Sequence, residues 1–380
     1  MDNNLHITLT DCQNETRLMK EAVSLSESKL FGISFVLSLH SDGLPLREKL
    51  GTIEINRVQL RSRGWGQSIV PQLLKYFEFL LKVLFFIKGR NISVITLHTL
   101  ALLPVGWLCK KIYGISVVYD AHELETEKNG LNGIRQKLAR LLEKIFIGRM
   151  DKTLVVSNRI RDWYEAAYPN CPKPVVIFNA PKTVELQNND LFRKEFGIGQ
   201  DKTICLYQGA LEKGRGIELL VEAFKARGDD YILVLMGYGS LVNMLENLED
   251  KSSIYYKAAV PPNDVLKYTM SADIGIALGQ NICLSYYYSM PNKLFEFCMA
   301  GLPIISTPLV EIDYFLREYG AGYTIKSETV DALETVLADL NGKDLDALGR
   351  NARRAAEDNS WEVQELKLKD VYEKIVAADR

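Results

Sequence analysis

Residues 289–306, SMPNKLFEFCMAGLPIIS, carry a lysine and a glutamate one turn apart on a predicted helix. Ser289 can cap this helix, and Gly301 can end it. Free amides at a helix start favour an anion, and Lys293 adds a full positive charge beside them. Glu296 lies on the same face and could accept hydrogen bonds from both hydroxyls of a ribose. The segment suits a nucleoside diphosphate, although an ordinary ion pair on a helix explains the two side chains equally well.

A second segment, LYQGALEKGRGIELLVEAF at residues 206–224, joins a predicted strand to a predicted helix through a glycine-punctuated loop. The strand ends at Gly209, and Arg215 lies just before the helix. A guanidinium group matches phosphate oxygens with two parallel hydrogen bonds. Gly237 and Gly239 follow the next strand, where the backbone must pass close to another group. Two glycines without a third are weak evidence for a dinucleotide site.

The third segment with chemical potential is VVYDAHELETEKNG, residues 117–130. Asp120, His122 and Glu123 follow the carboxyl end of a predicted strand, which is where ligand-binding residues of α/β sheets lie. The flanking carboxylates could orient the imidazole of His122 or raise its pKa. A metal site needs more ligands at suitable spacing, so we expect no metal here. A plain structural turn is the alternative explanation.

Short apolar runs of strand length alternate with helix-period segments along the whole chain. The predicted strands occupy residues 5–9, 32–39, 52–60, 92–98, 115–120, 153–157, 174–179, 203–209, 231–237, 253–260, 272–278, 302–308 and 321–325. The predicted helices occupy residues 14–29, 68–88, 100–112, 132–148, 158–168, 216–226, 240–248, 262–270, 292–300, 311–318 and 329–340. This pattern predicts an α/β protein with two doubly wound parallel sheets. The boundary is expected at 179–190, with ligands in the cleft between the two domains.

The composition of the 380 residues, 47% hydrophobic and 25% charged, excludes a disordered, collagenous or coiled-coil chain. Six widely spaced cysteines and an N-terminus without a basic, apolar leader favour a reduced cytoplasmic protein. The uncharged stretch 91–109 is too polar for a membrane span and is predicted to be a buried strand and helix. Residues 1–180 contain 24 Lys and Arg against 17 Asp and Glu, whereas the remainder is acidic. The basic half could meet phosphates or a membrane surface, or both halves could simply be solvated.

Together the motifs VVYDAHE, YQGALEKGRGIELL and PNKLFEFCMAGLPIIS resemble those of retaining GT-B glycosyltransferases of the large bacterial family four, which build capsules, O-antigens and exopolysaccharides. The resemblance covers nearly the whole chain. It implies two Rossmann-like domains facing a central cleft: an acceptor-side domain over 1–180 and a nucleotide-sugar domain over 181–361. It also implies a C-terminal helix, about 362–380, that packs back on the first domain.

The resemblance assigns roles at matching positions. Glu296 matches the second of the family's paired glutamates, which holds the donor ribose, and Arg215 matches one member of its basic diphosphate pair. Ala210 replaces the other member, a loss for which Lys293 is expected to compensate, and Tyr288 replaces the first glutamate. The implied donor-binding residues are Gly209, Arg215, Gly237, Asn292, Lys293 and Glu296, and the implied catalytic residues are Asp120, His122 and Glu123.

The same resemblance implies a UDP- or GDP-sugar as donor, with no metal and no further cofactor. The leaving diphosphate would accept the proton of the incoming hydroxyl. The protein would then stabilise the charge that builds on the diphosphate and position the acceptor. Because Tyr288 stands in place of a sugar-contacting glutamate, the resemblance does not name the hexose.

The acceptor is expected to be a glycan or a polyprenyl-diphosphate-linked lipid, not a nucleic acid. Residues 75–90 and 134–149 are basic and amphipathic, so they could lie in the inner face of the cell membrane or merely cover the sheet. Asn14 and Arg17, after the first strand, are predicted to contact the acceptor. Two alternatives are a sugar-nucleotide epimerase or hydrolase of the same fold and a non-catalytic partner with a decayed site.

Overall fold

The structure is a computed structural model that describes residues 1–187, 189–225, 230–248, 253–340 and 343–378. The chain divides into two compact units. The first unit contains residues Met1–Ile177 and the chain from Glu365 onwards, and the second unit contains Phe178–Gln364.

The first unit is built on one sheet of eight strands. The strands are β1 (Asn3–Ile7), β2 (Ser34–Leu39), β3 (Arg47–Leu50), β4 (Ile53–Val58), β5 (Ile92–Leu97), β6 (Ser116–Ala121), β7 (Lys152–Val155) and β8 (Val175–Val176). Their order is β3-β4-β2-β1-β5-β6-β7-β8, and every pair is parallel except β3 with β4. The sequence patterns missed β3, because its residues REKL are charged and mostly exposed, as is common for an edge strand.

Five helices connect these strands: α1 (Thr16–Glu27), α2 (Ile69–Ile87), α3 (Leu103–Tyr113), α4 (Gly133–Phe146) and α5 (Asn158–Ala167). Short 3-10 turns at Leu100–Leu102, Glu125–Glu127 and Ile147–Arg149 complete the connections. The stretch 91–109 forms β5 and most of α3, which confirms the predicted strand and helix. Within the described residues, no helix combines the length and apolar character needed to span a membrane.

The second unit contains a parallel sheet of six strands. These are β9 (Thr203–Ala210), β10 (Tyr231–Tyr238), β11 (Ile254–Ala258), β12 (Ile274–Ala277), β13 (Ile304–Ser306) and β14 (Gly322–Thr324), in the order β11-β10-β9-β12-β13-β14. The central strands are buried on both faces, so they read as continuous apolar runs. All six strands confirm the sequence prediction to within a few residues.

The helices of the second unit are α6 (Leu191–Phe196), α7 (Ile217–Lys225), α8 (Val242–Glu246), α9 (Pro262–Thr269), α10 (Leu284–Tyr287), α11 (Asn292–Met299), α12 (Val310–Tyr319), α13 (Val330–Leu340) and α14 (Leu345–Asp358). The sequence patterns missed α6, α10 and α14. Two of them are short, and α14 buries only Gly349 and three alanines, so it lacks large apolar side chains at helical spacing. The predicted end of α7 at residue 226 lies outside the described residues.

The last helix, α15 (Trp361–Ala378), belongs mostly to the first unit. Its Tyr372 is fully buried there, with its hydroxyl bonded to the Thr96 hydroxyl on β5 and its ring packed edge-on against Phe31. The last two residues of the predicted C-terminal helix are outside the described part of the chain. Because α15 packs on the first unit's sheet, the C-terminal segment stabilises the β-strands that carry the histidines described next.

Candidate active site

In the first unit, Asp120 at the end of β6 holds the ring of His122. The carboxylate is fully buried and lies 2.9 Å from His122 Nε2 and 3.2 Å from His98 Nδ1. The His122 side chain is one quarter exposed. A substrate can therefore reach His122 but not Asp120. Asp120 holds the ring of His122 from inside the protein, and its predicted catalytic role stays a prediction.

The buried Arg17 of α1 donates hydrogen bonds to the same carboxylate. Its Nε and Nη2 donate to Asp120 at 2.8 and 2.6 Å, and Nη1 donates to the Ile177 carbonyl at 2.6 Å. Burial acts to raise the pKa of Asp120, but the charge of Arg17, helped by His122, outweighs burial and holds that pKa well below its ordinary value. Arg17 is only 4% exposed, so the predicted acceptor contact is wrong. The long side chain of Arg17 reaches Asp120 inside the protein, and its charge favours the ionised carboxylate.

Two further histidines continue inward from Asp120. His98, just after β5, places Nε2 2.9 Å from His6 Nδ1, and His6 Nε2 lies 3.2 Å from the Asn4 amide nitrogen. Burial lowers the pKa of both imidazoles, that of His6 well below its ordinary value, so both are neutral. The nitrogen of the Asn4 amide can only donate, which makes His6 Nε2 an acceptor and His6 Nδ1 a donor to His98. His98 Nδ1 then carries a proton that it donates to Asp120.

This donor order also defines the tautomer of His122. Asp120 accepts from Arg17, His98 and His122, so Nε2 of His122 is a hydrogen-bond donor. When Nδ1 of His122 carries no proton, it is left as a hydrogen-bond acceptor. The arrangement follows the rule that the partner of one ring nitrogen decides the state of the other.

Glu21 lies beside this network and shares the positive charge of Arg17 with Asp120. It is fully buried on α1, 3.2 Å from Arg17 Nε. Burial, together with the negative charge of Asp120, raises the pKa of Glu21 well above its ordinary value. Glu21 therefore holds its proton more strongly in the folded protein than in the unfolded chain.

Ligand atoms of His98, Asp120 and His122, and those of His6, Glu21 and His98, lie close enough together to hold a metal ion. Asp120, however, already accepts four hydrogen bonds, two of them from Arg17, and the guanidinium of Arg17 beside it opposes a second cation. The residues fit a hydrogen-bonded row better than a metal centre.

The remaining predicted residues of the first unit lie at its surface. Asn14 is exposed in the turn between β1 and α1, and its contact with an acceptor stays a prediction. Glu123 is 42% exposed and pairs with Lys128 at 3.0 Å. An ion pair this exposed contributes little to stability, and the catalytic role of Glu123 stays a prediction.

In the second unit, two cations lie over aromatic rings. The guanidinium of Arg215 lies 4.4 Å from the ring centre of Tyr286, and Nζ of Lys293 lies 3.6 Å from that of Tyr207. Both cations line one small pocket of about 20 Å³, which has room for about one water. Burial and the charge of Arg215 lower the pKa of Lys293 to about 7. The two side chains therefore form a cationic cradle, which we define as Arg215 and Lys293.

Gly209 lies next to Lys293, and its lack of a side chain leaves space beside the cationic cradle. Its φ is +115°, and a side chain there would lie 3.6 Å from Lys293 Nζ. Helix α11 begins beside Lys293 at Asn292, which is exposed, and its N-cap Pro291 supplies no side-chain cap. The predicted cap, Ser289, instead donates its hydroxyl to the Tyr286 carbonyl. Amides at the start of α11 are thus left available to an anion.

Glu296, one turn into α11, is held by a side chain that sequence reasoning missed. Gln208 on β9 donates its amide to Glu296 and accepts from the Thr269 hydroxyl at 2.8 Å. Gln208 is buried, so the glutamate is fixed from the protein side. Its position is compatible with the predicted ribose contact, which stays a prediction.

Gly237 lies close against the adjacent strand, and its contact with the donor stays a prediction. A side chain on Gly237 would overlap the Gly209 carbonyl of the adjacent strand β9. The close approach that the sequence indicated is therefore between β9 and β10, and it needs no ligand.

Replacing Glu21 with glutamine should stabilise the protein increasingly as the pH rises from 5 to 8. A raised pKa in the folded state means that the unfolded chain loses its proton first, so wild type loses stability above about pH 4.5. Glutamine removes this effect while keeping size and neutrality. Thermal unfolding at several pH values, with the exposed Glu27→Gln on the same helix as control, measures it. A difference from wild type that is independent of pH would show that Glu21 is ionised when folded.

Two family models match the chain in succession. Residues 32–181 match the model described as Glycosyltransferase Family 4, and residues 188–355 match the model described as Glycosyl transferases group 1. The first match falls in the first unit apart from its last four residues, and the second falls in the second unit.

Individual relatives agree with these models. The D-inositol 3-phosphate glycosyltransferase of Corynebacterium kroppenstedtii is 24% identical over 295 residues, which are 71% of this chain and 64% of that protein. The sucrose-phosphate synthase of Thermosynechococcus elongatus superposes with a TM-score of 0.83 at 15% identity, over 100% of both chains. Anabaena HepE, solved with UDP-glucose, gives 0.74 at 11% identity over 98% of this chain and 100% of its own. The predicted GT-B fold is thus confirmed, and both units of the chain are similar to group 1 glycosyltransferases.

Proposed function

We propose that the protein transfers a hexose from a UDP- or GDP-sugar to a hydroxyl of an acceptor, with retention of the anomeric configuration. The observation that carries this proposal is the cationic cradle at the start of α11. Arg215 and Lys293 have no carboxylate within ion-pair distance in the described part of the chain, and uncapped amides lie beside them. Such a site suits the diphosphate of a nucleotide sugar.

The cradle would act mainly on the leaving group. Negative charge builds on the diphosphate as the glycosidic bond breaks, and fixed cations and amides stabilise it more in the transition state than in the ground state. Lys293, with its pKa near 7, would take up a proton when the diphosphate arrives. Glu296, steadied by Gln208, would accept hydrogen bonds from the ribose hydroxyls.

His122 would contact the transferred sugar. With the proton on Nε2, its Nδ1 can accept a hydrogen bond from a sugar hydroxyl, and Asp120 keeps the ring in that orientation. Arg17 and His98 act through Asp120 and are positioning residues. No metal or further cofactor is needed in this scheme.

Two acceptor classes are supported by different observations. A glycan or polyprenyl-diphosphate-linked lipid of bacterial surface polysaccharide synthesis is favoured by exposed apolar helices in the first unit. A phosphorylated polyol is the second candidate, since the curated relatives are D-inositol 3-phosphate glycosyltransferases. We favour the lipid-linked acceptor because of the packing of α4 and α2.

Helix α4 packs with its polar side inward. Its only buried residue is Glu143, which accepts from the Tyr119 and Tyr164 hydroxyls at 3.2 and 2.7 Å, and Arg140 pairs with Glu127 at 2.7 Å. Its apolar side chains point outward: Ile134 is 77% exposed, followed by Leu138, Leu141 and Ile145. Burying an outward apolar stripe requires a partner surface.

Helix α2 adds to the same surface. Its exposed apolar side chains are Ile69, Val70, Leu73, Leu74, Phe77, Leu81 and Phe85. Helix α3 joins the two, since Tyr113 donates to the Leu84 carbonyl of α2 at 3.0 Å and Trp107 packs on Phe146 of α4. Exposed Lys137 and Lys144 flank the stripe on α4. A surface that is apolar with basic flanks fits the anionic interface at the inner face of a cell membrane.

Replacing Glu296 with alanine should weaken binding of the donor nucleotide by roughly one to two powers of ten, or about 1.5–3 kcal/mol, through loss of charge-assisted hydrogen bonds. Calorimetric titration with UDP and GDP measures it, and Glu318→Ala, exposed on α12, is the matched control. Nucleotide affinity unchanged by Glu296→Ala would refute the ribose contact.

Acceptor-dependent nucleotide release, with the product anomer read by NMR, separates transfer from the epimerase, hydrolase and non-catalytic alternatives.

Replacing both Leu138 and Leu141 with glutamine should reduce flotation with anionic liposomes several-fold, because each loses apolar area that would enter the interface. Both side chains are more than half exposed, so folding should be unaffected. Leu366→Gln, on the exposed side of α15, is the control. Equal flotation of wild type and the double variant would contradict membrane contact through α4.

A further inference from the structure

A cavity of about 730 Å³ lies in the first unit beside the edge of its sheet. Its walls come from β2, from the antiparallel pair of β3 and β4, from the residues after β4 and from the C-terminal part of α2. Its size is in the range of roughly 300–1,000 Å³ that small-molecule sites occupy. Among the described residues that line it, none belongs to the site around His122, so it is a separate feature.

The cavity is strongly cationic. Five basic side chains line it, and no acidic residue does within the described ranges: the five are Arg47, Arg57, Arg61, Lys82 and Arg90. Arg57 is occupied, because it pairs with Glu48 at 2.8 Å and donates to the Pro45 carbonyl at 3.1 Å. Arg47 and Arg61 are exposed and lie within ion-pair distance of no carboxylate that the structure describes. These two guanidinium groups are free to bind an anion, and their geometry suits phosphate.

The rest of the lining is apolar. Leu60 and Phe86 are buried in the wall, and Arg90 lies 4.1 Å over the Phe86 ring. Phe85 lines the cavity and is also 79% exposed on the outer surface of α2. Phe85 therefore connects the cationic interior with the exposed apolar stripe of α2. A ligand that matches both parts carries a phosphate and an apolar chain.

We propose that this cavity binds the phosphate head group of an anionic lipid, whose hydrocarbon chain leaves across Phe85. The apolar exit distinguishes a lipid from free phosphate or a nucleotide, which would gain nothing from Phe85. This inference rests on the proposed membrane contact, because that contact would bring lipids to the cavity. It adds a specific lipid site to that surface.

Occupation of the cavity has a route to the turn that carries Asn14. Arg57 in the cavity wall donates from Nε to the Asp11 carbonyl at 3.1 Å. Asp11 lies in the same turn between β1 and α1 as Asn14. A lipid phosphate beside Arg57 is thus one hydrogen bond away from the predicted acceptor turn.

The test uses soluble short-chain lipids on the full protein. Dihexanoyl phosphatidic acid, below its micelle concentration, is titrated into wild type, into the double variant Arg47→Gln, Arg61→Gln, and into the control Lys173→Gln, Lys182→Gln, whose lysines are exposed and lie outside both the cavity and the α4 surface. The Arg47→Gln, Arg61→Gln variant should bind phosphatidic acid at least about tenfold more weakly than wild type. The control variant should bind phosphatidic acid with the affinity of wild type. Both replaced arginines are exposed, and equal thermal midpoints verify that the variants fold.

Two further probes separate the contributions. Inorganic phosphate and dihexanoyl phosphatidylcholine should each bind at least about tenfold more weakly than phosphatidic acid, and Phe85→Ser should weaken phosphatidic acid without changing phosphate. Equal binding of phosphatidic acid and phosphate, or of both double variants, would overturn the proposal. Since no vesicle and no nucleotide is involved, this outcome is independent of liposome flotation and of donor binding.

Discussion

The buried ion pair between Arg17 and Asp120 is the interaction on which the site of the first unit depends. It joins α1 to the end of β6 and keeps a carboxylate charged in the interior. Removing one partner of such a pair typically costs about 3–5 kcal/mol, because the other charge stays buried. The ionised carboxylate in turn decides which nitrogen of His122 carries the proton. The hydrogen-bonding state of the exposed His122 ring is thus determined by the buried pair of Arg17 and Asp120.

The second unit handles charge in the opposite way. Arg215 and Lys293 lie over tyrosine rings and not against carboxylates, so their charge is compensated only weakly. The low pKa of Lys293 is the energetic cost of holding this site ready for an anion. One carboxylate, Glu296, is nearby, and Gln208 holds it. A preorganised cationic site of this kind gains most when charge develops on its ligand, which fits a leaving diphosphate.

The sequence predicted the sheets well because their strands are short apolar runs between turn residues. It could not predict that His6 and His98 join His122, since three strands bring together residues far apart in the chain through the order β1-β5-β6. Arg17 was expected at the surface because arginine usually lies there, and only its partner Asp120 explains its burial. The amphipathic pattern of 134–149 was visible, but the pattern alone does not tell which side faces inward.

The most direct test of the account is calorimetric titration of UDP-glucose and GDP-mannose at pH 8 in buffers of different ionisation enthalpy. Lys293 is largely neutral there in the free protein and should become protonated beside a bound diphosphate. We predict uptake of close to one proton by wild type with the nucleotide sugar that binds, and none by Lys293→Arg, which is charged in both states. Binding by wild type without proton uptake, or no binding of either nucleotide sugar, would contradict a diphosphate site at Arg215 and Lys293.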